Sequence, residues 1–264
     1  MDAFVKKLKN ERSVFLKKLK VLFVGESWTV MVTHIKGADQ FTQTFYEEGV
    51  KWIKAALESE DIEFIHMPCH VAMYSFPTTV SEMEKYDCII FSDIGYNSIM
   101  LHPDTSQRCL RTPNRLECLK QYVNGGGGFL MIGGYMSFSG IEAKAHYKGT
   151  LVEEILPVNL LESDDRVEIP QGENPKVASR HTVLEGIDQD FPHFLSYNKL
   201  LPKEGSETIL SFKQDPLLVL WDCGKGRTAA FAADTAPHGA PPAFLDWKYF
   251  PLFWGNLVRW LCKE

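Results

Sequence analysis

Apolar positions along this chain fall into two alternating patterns. Lys20-Val21-Leu22-Phe23-Val24-Gly25, Asp87-Cys88-Ile89-Ile90-Phe91-Ser92 and Phe129-Leu130-Met131-Ile132 are short, nearly unbroken apolar runs. Such runs read as strands covered on both faces, as in a parallel sheet between helix layers. Ile62-Glu63-Phe64-Ile65 is a shorter strand of the same set. Between the strands the spacing changes. Phe41, Phe45, Gly49, Ile53 and Leu57 recur near every fourth position, which predicts one helix face from about Ala38 to Glu58. Leu116, Leu119 and Tyr122/Val123 predict a helix over 114–124, and Ser81-Glu82-Met83-Glu84 a short one. Strands alternating with helices imply right-handed βαβ units and an α/β fold with a doubly wound, mainly parallel sheet.

After Gly140 the rhythm shifts to shorter β-like pieces at 155–161, 208–212 and 217–221. Asp222-Cys223-Gly224-Lys225-Gly226 is a hairpin signal leading into Arg227-Thr228-Ala229-Ala230-Phe231-Ala232-Ala233, a further central strand. A last helix is expected from about Trp247, burying Phe250, Phe253, Leu257 and Trp260/Leu261. With no repeat, low-complexity tract or linker, residues 20–264 read as one domain. Residues 1–19 form a basic extension, with Phe4, Leu8, Phe15 and Leu19 at near-helical spacing. That pattern is expected to dock on its own domain, the alternative being an anionic membrane surface.

The chain turns on residues 125–140. Four glycines end the preceding helix, the strand Phe129–Ile132 follows, and Gly133-Gly134 breaks it at its carboxyl end. Open α/β sheets place their ligands at that edge. A nucleophile elbow would put Ser or Cys there, but the next residue is Tyr135, and neither Gly-x-Ser-x-Gly nor Gly-x-Cys-x-Gly occurs. Five loops are expected at this edge: those opening at Glu26, at the loop holding Cys69-His70, at Asp93, at Tyr135 and at Asp234. Their polar side chains, Glu26, Ser27, Asp93, Asn97, Tyr135, Ser137, Asp234 and His238, make a plausible crevice for a small polar metabolite. Each also has a local use, as a cap or as a turn residue bonded to the backbone.

Composition narrows the field. Of 264 residues, 45% are hydrophobic and 23% charged, and the formal net charge of -6 gives no electrostatic case for nucleic acid. No run approaches the roughly 20 apolar residues of a membrane span, and nothing before Lys20 has the pattern of a signal peptide. Six scattered cysteines without a Cys-x-x-Cys pair are expected to be reduced thiols in a cytoplasm, with no disulfide among them. His66 and His70 are four apart, but Pro68 between them argues against a helical metal pair, so no metal is expected. Cys69-His70 as a thiol with its base is disfavoured, because sequence neighbours on a strand point apart. The phosphate-cradling glycine motifs do not follow the first strand, and no cofactor is expected.

Six blocks in order carry a resemblance: Val24-Gly25-Glu26-Ser27-Trp28, His34-Ile35-Lys36-Gly37, Ser92-Asp93-Ile94-Gly95, Gly133-Gly134-Tyr135-Met136-Ser137-Phe138, Asp164-Asp165-Arg166-Val167-Glu168 and Asp234-Thr235-Ala236-Pro237-His238. Together they resemble the putative glutamine amidotransferase family, a branch of the class I glutamine amidotransferase-like superfamily, over nearly the whole chain from Lys20. The resemblance implies a flavodoxin-like fold with helices on both faces of the sheet. It also implies a comparison with the Cys-His-Glu triad of active members. By position the cysteine falls at Gly134 or Tyr135, the histidine at His238, and the glutamate at Ala240. One role of three survives, so the expectation is a relative without glutaminase activity that binds a small polar ligand. The alternative is altered chemistry with His238 as general base beside Asp93 or Asp234, with Tyr135 as a further catalytic candidate. A third reading is an assembly module or homo-oligomer, for which the aromatic density at 247–254 is the hint.

Overall fold

The computed structural model describes residues 18–213, 215–237 and 239–264. The basic extension over 1–17 and His238 lie outside the described residues. The first strand, β1 (Lys20–Gly25), leads after Glu26 into a hairpin of β2 (Ser27–Lys36) and β3 (Asp39–Glu48). Helix α1 (Lys51–Ser59), β4 (Glu63–Met67), α2 (Cys69–Ser75), α3 (Val80–Met83) and β5 (Cys88–Ser92) follow. Then come α4 (Tyr96–Met100), α5 (Pro103–Arg108), α6 (Arg115–Gly125) and β6 (Gly128–Ile132). The second half holds α7 (Leu151–Ile155), β7 (Val158–Asn159), β8 (Arg166–Glu173), β9 (Lys176–Val177), β10 (Phe194–Asn198), β11 (Leu201–Pro202) and β12 (Glu207–Phe212). It closes with β13 (Asp215–Cys223), β14 (Gly226–Phe231), α8 (Pro242–Leu245) and α9 (Phe250–Leu261).

One eight-stranded sheet organises these pieces in the order β4-β1-β5-β6-β14-β13-β12-β9. The first five strands are mutually parallel, and β13, β12 and β9 extend the sheet antiparallel. Phe129, Leu130, Met131 and Ile132 of β6 are fully buried between β5 and β14, as an unbroken apolar run requires of a strand covered on both faces. The helices split into two layers. α1 packs on α9, while α2 meets α4 and α6 meets α3, α4 and α7. From β1 the chain crosses to β4 on one side and then to β5 on the other. The carboxyl ends of β1 and β5 are therefore a topological switch point, where a crevice opens because consecutive crossovers diverge.

Local chemistry sets the boundaries of α6. The Asn114 side chain accepts from the amides of Leu116 (3.1 Å) and Glu117 (3.2 Å), and the chain leaves the helix at Gly126 with φ +130°. The buried Arg115 guanidinium donates to the carbonyls of Ala72, Met73 and Ile99, tying α6 to α2 and α4.

Several sequence expectations are corrected. The stretch from Ala38 to Glu48 is β3, not helix, and Ser27-Trp28 begins β2 rather than continuing a loop. A four-residue period is also a multiple of two, so Phe41 and Phe45 share a strand face as readily as a helix face, and Thr42 and Thr44 between them favour the strand. Cys69-His70 opens helix α2, with Pro68 at the N-cap position where a missing amide costs nothing. The β-like piece at 155–161 divides into the end of α7 and two-residue β7. The small sheet of β8 and β10 was not anticipated. The aromatics at 247–254 are mostly interior, since Phe250, Phe253 and Trp254 are buried.

Because β6 is central, Phe129→Ala or Ile132→Ala should lower the unfolding free energy by about 2–5 kcal/mol through lost burial and a residual cavity. Urea titration with an unchanged m-value checks this. A loss within a few tenths of a kcal/mol would contradict the central placement.

Candidate functional site

At the switch point the first residue after β1 and the first after β5 are both acids in the left-handed region, Glu26 at φ 48° and Asp93 at φ 45°. Side chains other than glycine adopt that conformation at a cost, and such strain clusters at functional sites. The Glu26 amide donates to the Ser92 carbonyl (2.8 Å), and the Gly49 amide closes back on the Glu26 carbonyl (2.9 Å). Glu26 is thereby pinned at both backbone groups, and its side chain is fully buried. Ser27 is buried as well. Its hydroxyl accepts from the Cys69 amide at 2.8 Å, so these two residues lie beneath the crevice rather than at its rim.

Three carboxylates interact here. Burial pushes Glu26 well above the usual carboxylate range, and the charges of Asp234 and Asp93 raise it further, against a 2.6 Å hydrogen bond from the Ser92 hydroxyl. Asp234 is pushed up to about 8, first by burial and then by Asp93, although the amides of Thr235 and Ala236 donate to its Oδ1 and oppose the rise. Both shifts favour the protonated form of these carboxyl groups, in which they can donate as well as accept.

The turn after β6 is clamped from two sides. The Met136 amide donates to Asp93 Oδ1 (2.7 Å), and the Ser137 hydroxyl accepts from the Asp93 amide (3.1 Å). On the other side Asn198 accepts from the Gly134 amide (3.0 Å) and donates to the Gly134 carbonyl (3.2 Å) and to Asp165 (2.7 Å). Asp165 in turn accepts from the amides of Ser139 and Gly140. Gly134 has φ +142°, and a Cβ there would stand 2.8 Å from Asp93 Oδ1, so both backbone angle and space demand glycine.

Beyond this turn a cleft opens to solvent, with about 350 Å³ of empty space counted into its mouth. Gly134, Tyr135, Arg166, Ser196, Asn198 and Asp234 are among the residues lining it, and no cysteine is. Tyr135 is 47% exposed, with the Arg166 guanidinium 5.5 Å from its ring centroid. Arg166 is oriented by hydrogen bonds to both carboxylate oxygens of Asp164, which hold that carboxylate well below its ordinary range.

The structure thus brings Glu26, Ser27, Asp93, Tyr135, Ser137 and Asp234 to one sheet edge. Asn97 is exposed on α4 and is not among the cleft's lining residues. Cys69 reaches the same neighbourhood through its contact with the Asp93 carbonyl, but burial raises its thiol, the opposite of an activated thiolate. All six cysteines are free. No cluster of three or more His, Cys, Asp or Glu residues suited to a metal occurs among the described residues. Sequence reasoning missed Asn198 and assigned no role to Asp165 or Arg166, although the block Asp164–Glu168 had been singled out. Nothing in the sequence indicates that β10 folds back against the turn.

A doubly wound sheet with its polar groups gathered at the β1/β5 switch point and a glycine turn after the central strand is the architecture of class I glutamine amidotransferase-like proteins. The chain belongs to the family described as Putative glutamine amidotransferase (GATase1-like), whose model matches residues 20–263. It is 42% identical to cytoplasmic protein STM3548 from Salmonella typhimurium, with 92% of this chain and 99% of that one covered at a TM-score of 0.89. Cytoplasmic protein STM1381 from Salmonella typhimurium LT2 matches with the same identity, coverage and TM-score. A putative ThuA-like protein from Bacteroides uniformis shares the fold at 14% identity and a TM-score of 0.55, over 94% of this chain and 93% of that one. No curated protein matches the chain. Among the described residues no helix is long and apolar enough to cross a membrane.

The raised carboxyls make a pH prediction with a definite sign. Unfolded, Asp234 titrates near 3.8, and folded at about 8, so between those values the folded state binds more protons and loses stability as pH rises. Relative to Asp234→Asn, wild-type protein should lose melting temperature progressively from pH 5 to 8 and then level off. Melting curves of the two proteins across that range test this, and a difference independent of pH would refute a protonated Asp234.

Proposed function

We propose that this chain is a glutamine amidotransferase-like protein without glutaminase chemistry, which binds a small polar metabolite in the Tyr135 cleft. The supporting observation is the residue that the β6 turn presents. Acyl transfer from an amide needs a nucleophile ionised, or easily ionised, near neutral pH. Tyrosine, with a pKa near about 10, does not meet that need, and no cysteine lines the cleft. Losing the nucleophile of a triad removes about six orders of magnitude in rate. The groups retained suit recognition instead. Asp234, largely protonated, donates a hydrogen bond from a dry wall, and Tyr135 and Arg166 offer an aromatic face and a cation at the mouth. A cytoplasmic location is part of this reading, supported by the names of the two Salmonella proteins.

A second reading rests on the same Asp234. A carboxyl poised at about 8 has the acidity of a general acid–base group at neutral pH, and altered chemistry would use it with His238. The two are separable. Purified protein given glutamine should release no ammonia above a His238→Ala control, and turnover at ordinary enzymatic rates abolished by that substitution would overturn the proposal. In a thermal-shift screen of small polar metabolites, any hit should weaken at least tenfold with Asp234→Asn and with Tyr135→Ala. A hit indifferent to both substitutions places binding elsewhere.

A further inference from the structure

The β2–β3 hairpin stands apart from the sheet. Among the described residues its strands pair only with each other, in continuous register from Ser27 opposite Glu48 to Lys36 opposite Asp39. At about 3.3 Å per residue the arm is roughly 33 Å long. Its base leans on the body, where the Tyr46 ring lies edge-on to His70 at 5.1 Å. Further out, side chains on both faces meet solvent, with Met31 and Ile35 each 72% exposed and Phe41 and Phe45 nearly half exposed. A two-stranded ribbon alone is marginally stable in water, and a long apolar one with open edges is a template for another strand.

The two edges are not alike. β3 carries Asp39, Glu47 and Glu48, whereas β2 carries no carboxylate over its ten residues and has Lys36 as its one permanent charge. Two copies pairing antiparallel through β3, about a dyad at Gln43, would set Asp39 opposite the other Glu47 twice, and like charges directly opposite destabilise a ladder. Pairing through β2 about a dyad at Met31 instead sets Val30 opposite Val32, Thr29 opposite Thr33 and Trp28 opposite His34, with no like-charge pair. Alternate residues share a face, so this register continues the apolar face of Val30, Val32, Phe41 and Phe45 across both copies. We infer that the chain forms a two-fold dimer by β2-to-β2 pairing, making a four-stranded ribbon in the order β3-β2-β2-β3.

Sedimentation velocity across a concentration series tests this, with Met31→Glu and Thr33→Glu to place repelling charge on the β2 edge and Gln43→Glu as the β3 counterpart. Circular dichroism confirms that each variant is folded. Wild-type protein and Gln43→Glu should sediment as dimers, the β2 variants should dissociate at least tenfold more readily, and hydrogen exchange should find β2 amides protected in the dimer. A wild-type monomer at all concentrations would overturn the inference. So would a dimer indifferent to both β2 variants, or one broken by Gln43→Glu alone. A monomer with protected β2 amides would also overturn it, by giving that edge to the chain's own first seventeen residues.

Discussion

Carboxylates crowded into the buried edge of a sheet resist being charged together, and this end of the protein is arranged around that constraint. Glu26 follows β1, Asp93 follows β5, and Asp234 follows β14, so the parallel topology itself delivers three acids to one place. Like charges held together away from water repel more strongly than they would in bulk solvent. Burial first, and repulsion between the acids second, disfavour the charged forms, which is why Glu26 and Asp234 are both driven upward. The same acids are structural anchors. Asp93 holds the amide of Met136, and Asp234 holds those of Thr235 and Ala236. One set of groups thereby fixes the loops and sets the polarity of the wall that a ligand would meet.

The glycine turn depends on this arrangement from the other direction. Gly134 fits against Asp93 only because it lacks a side chain, and the Asn198–Asp165 pair holds the turn's outer half through four hydrogen bonds to its backbone. An elbow so constrained presents whatever residue follows it. In this chain that residue is a half-exposed tyrosine beside an arginine. The turn's geometry and the chemistry of the residue it presents are supplied by different residues, so the one can change while the other is kept.

How much of this was legible in the sequence follows from how far each signal reaches along the chain. The buried parallel strands announce themselves locally, since Ile89-Ile90-Phe91 and Phe129–Ile132 need no partner to be recognised, and the convergence of Glu26, Asp93 and Asp234 follows from strand direction alone. The hairpin was misread because Phe41 and Phe45 satisfy two periods at once. Glu26 was expected among the polar side chains lining the crevice, and its full burial follows from its left-handed backbone and its bonds to Ser92 and Gly49, which no local pattern encodes. Asn198 and Asp165 could not be found, because their partners lie 64 and 26 positions away. Their contact with the turn belongs to tertiary structure, and no local pattern encodes it.

The hairpin that the sequence concealed springs from a residue bonded at both of its backbone groups. It leaves the chain after Glu26 and returns at Gly49, whose amide bonds to the Glu26 carbonyl. The two ends of the insertion are thus one hydrogen bond apart, so closing it adds little entropy cost and asks no strand of the main sheet to move. Its β-structure is satisfied internally through a ten-residue register. An appendage joined this way can be lengthened, recharged or paired with another chain without disturbing the residue from which it springs, because Glu26 is held from the body side by Ser92 through both backbone and hydroxyl. The exposed hairpin and the buried acid at its root therefore adjoin in sequence while being held by separate sets of contacts, so a substitution at the exposed Met31 leaves the hydrogen bonds of Glu26 in place.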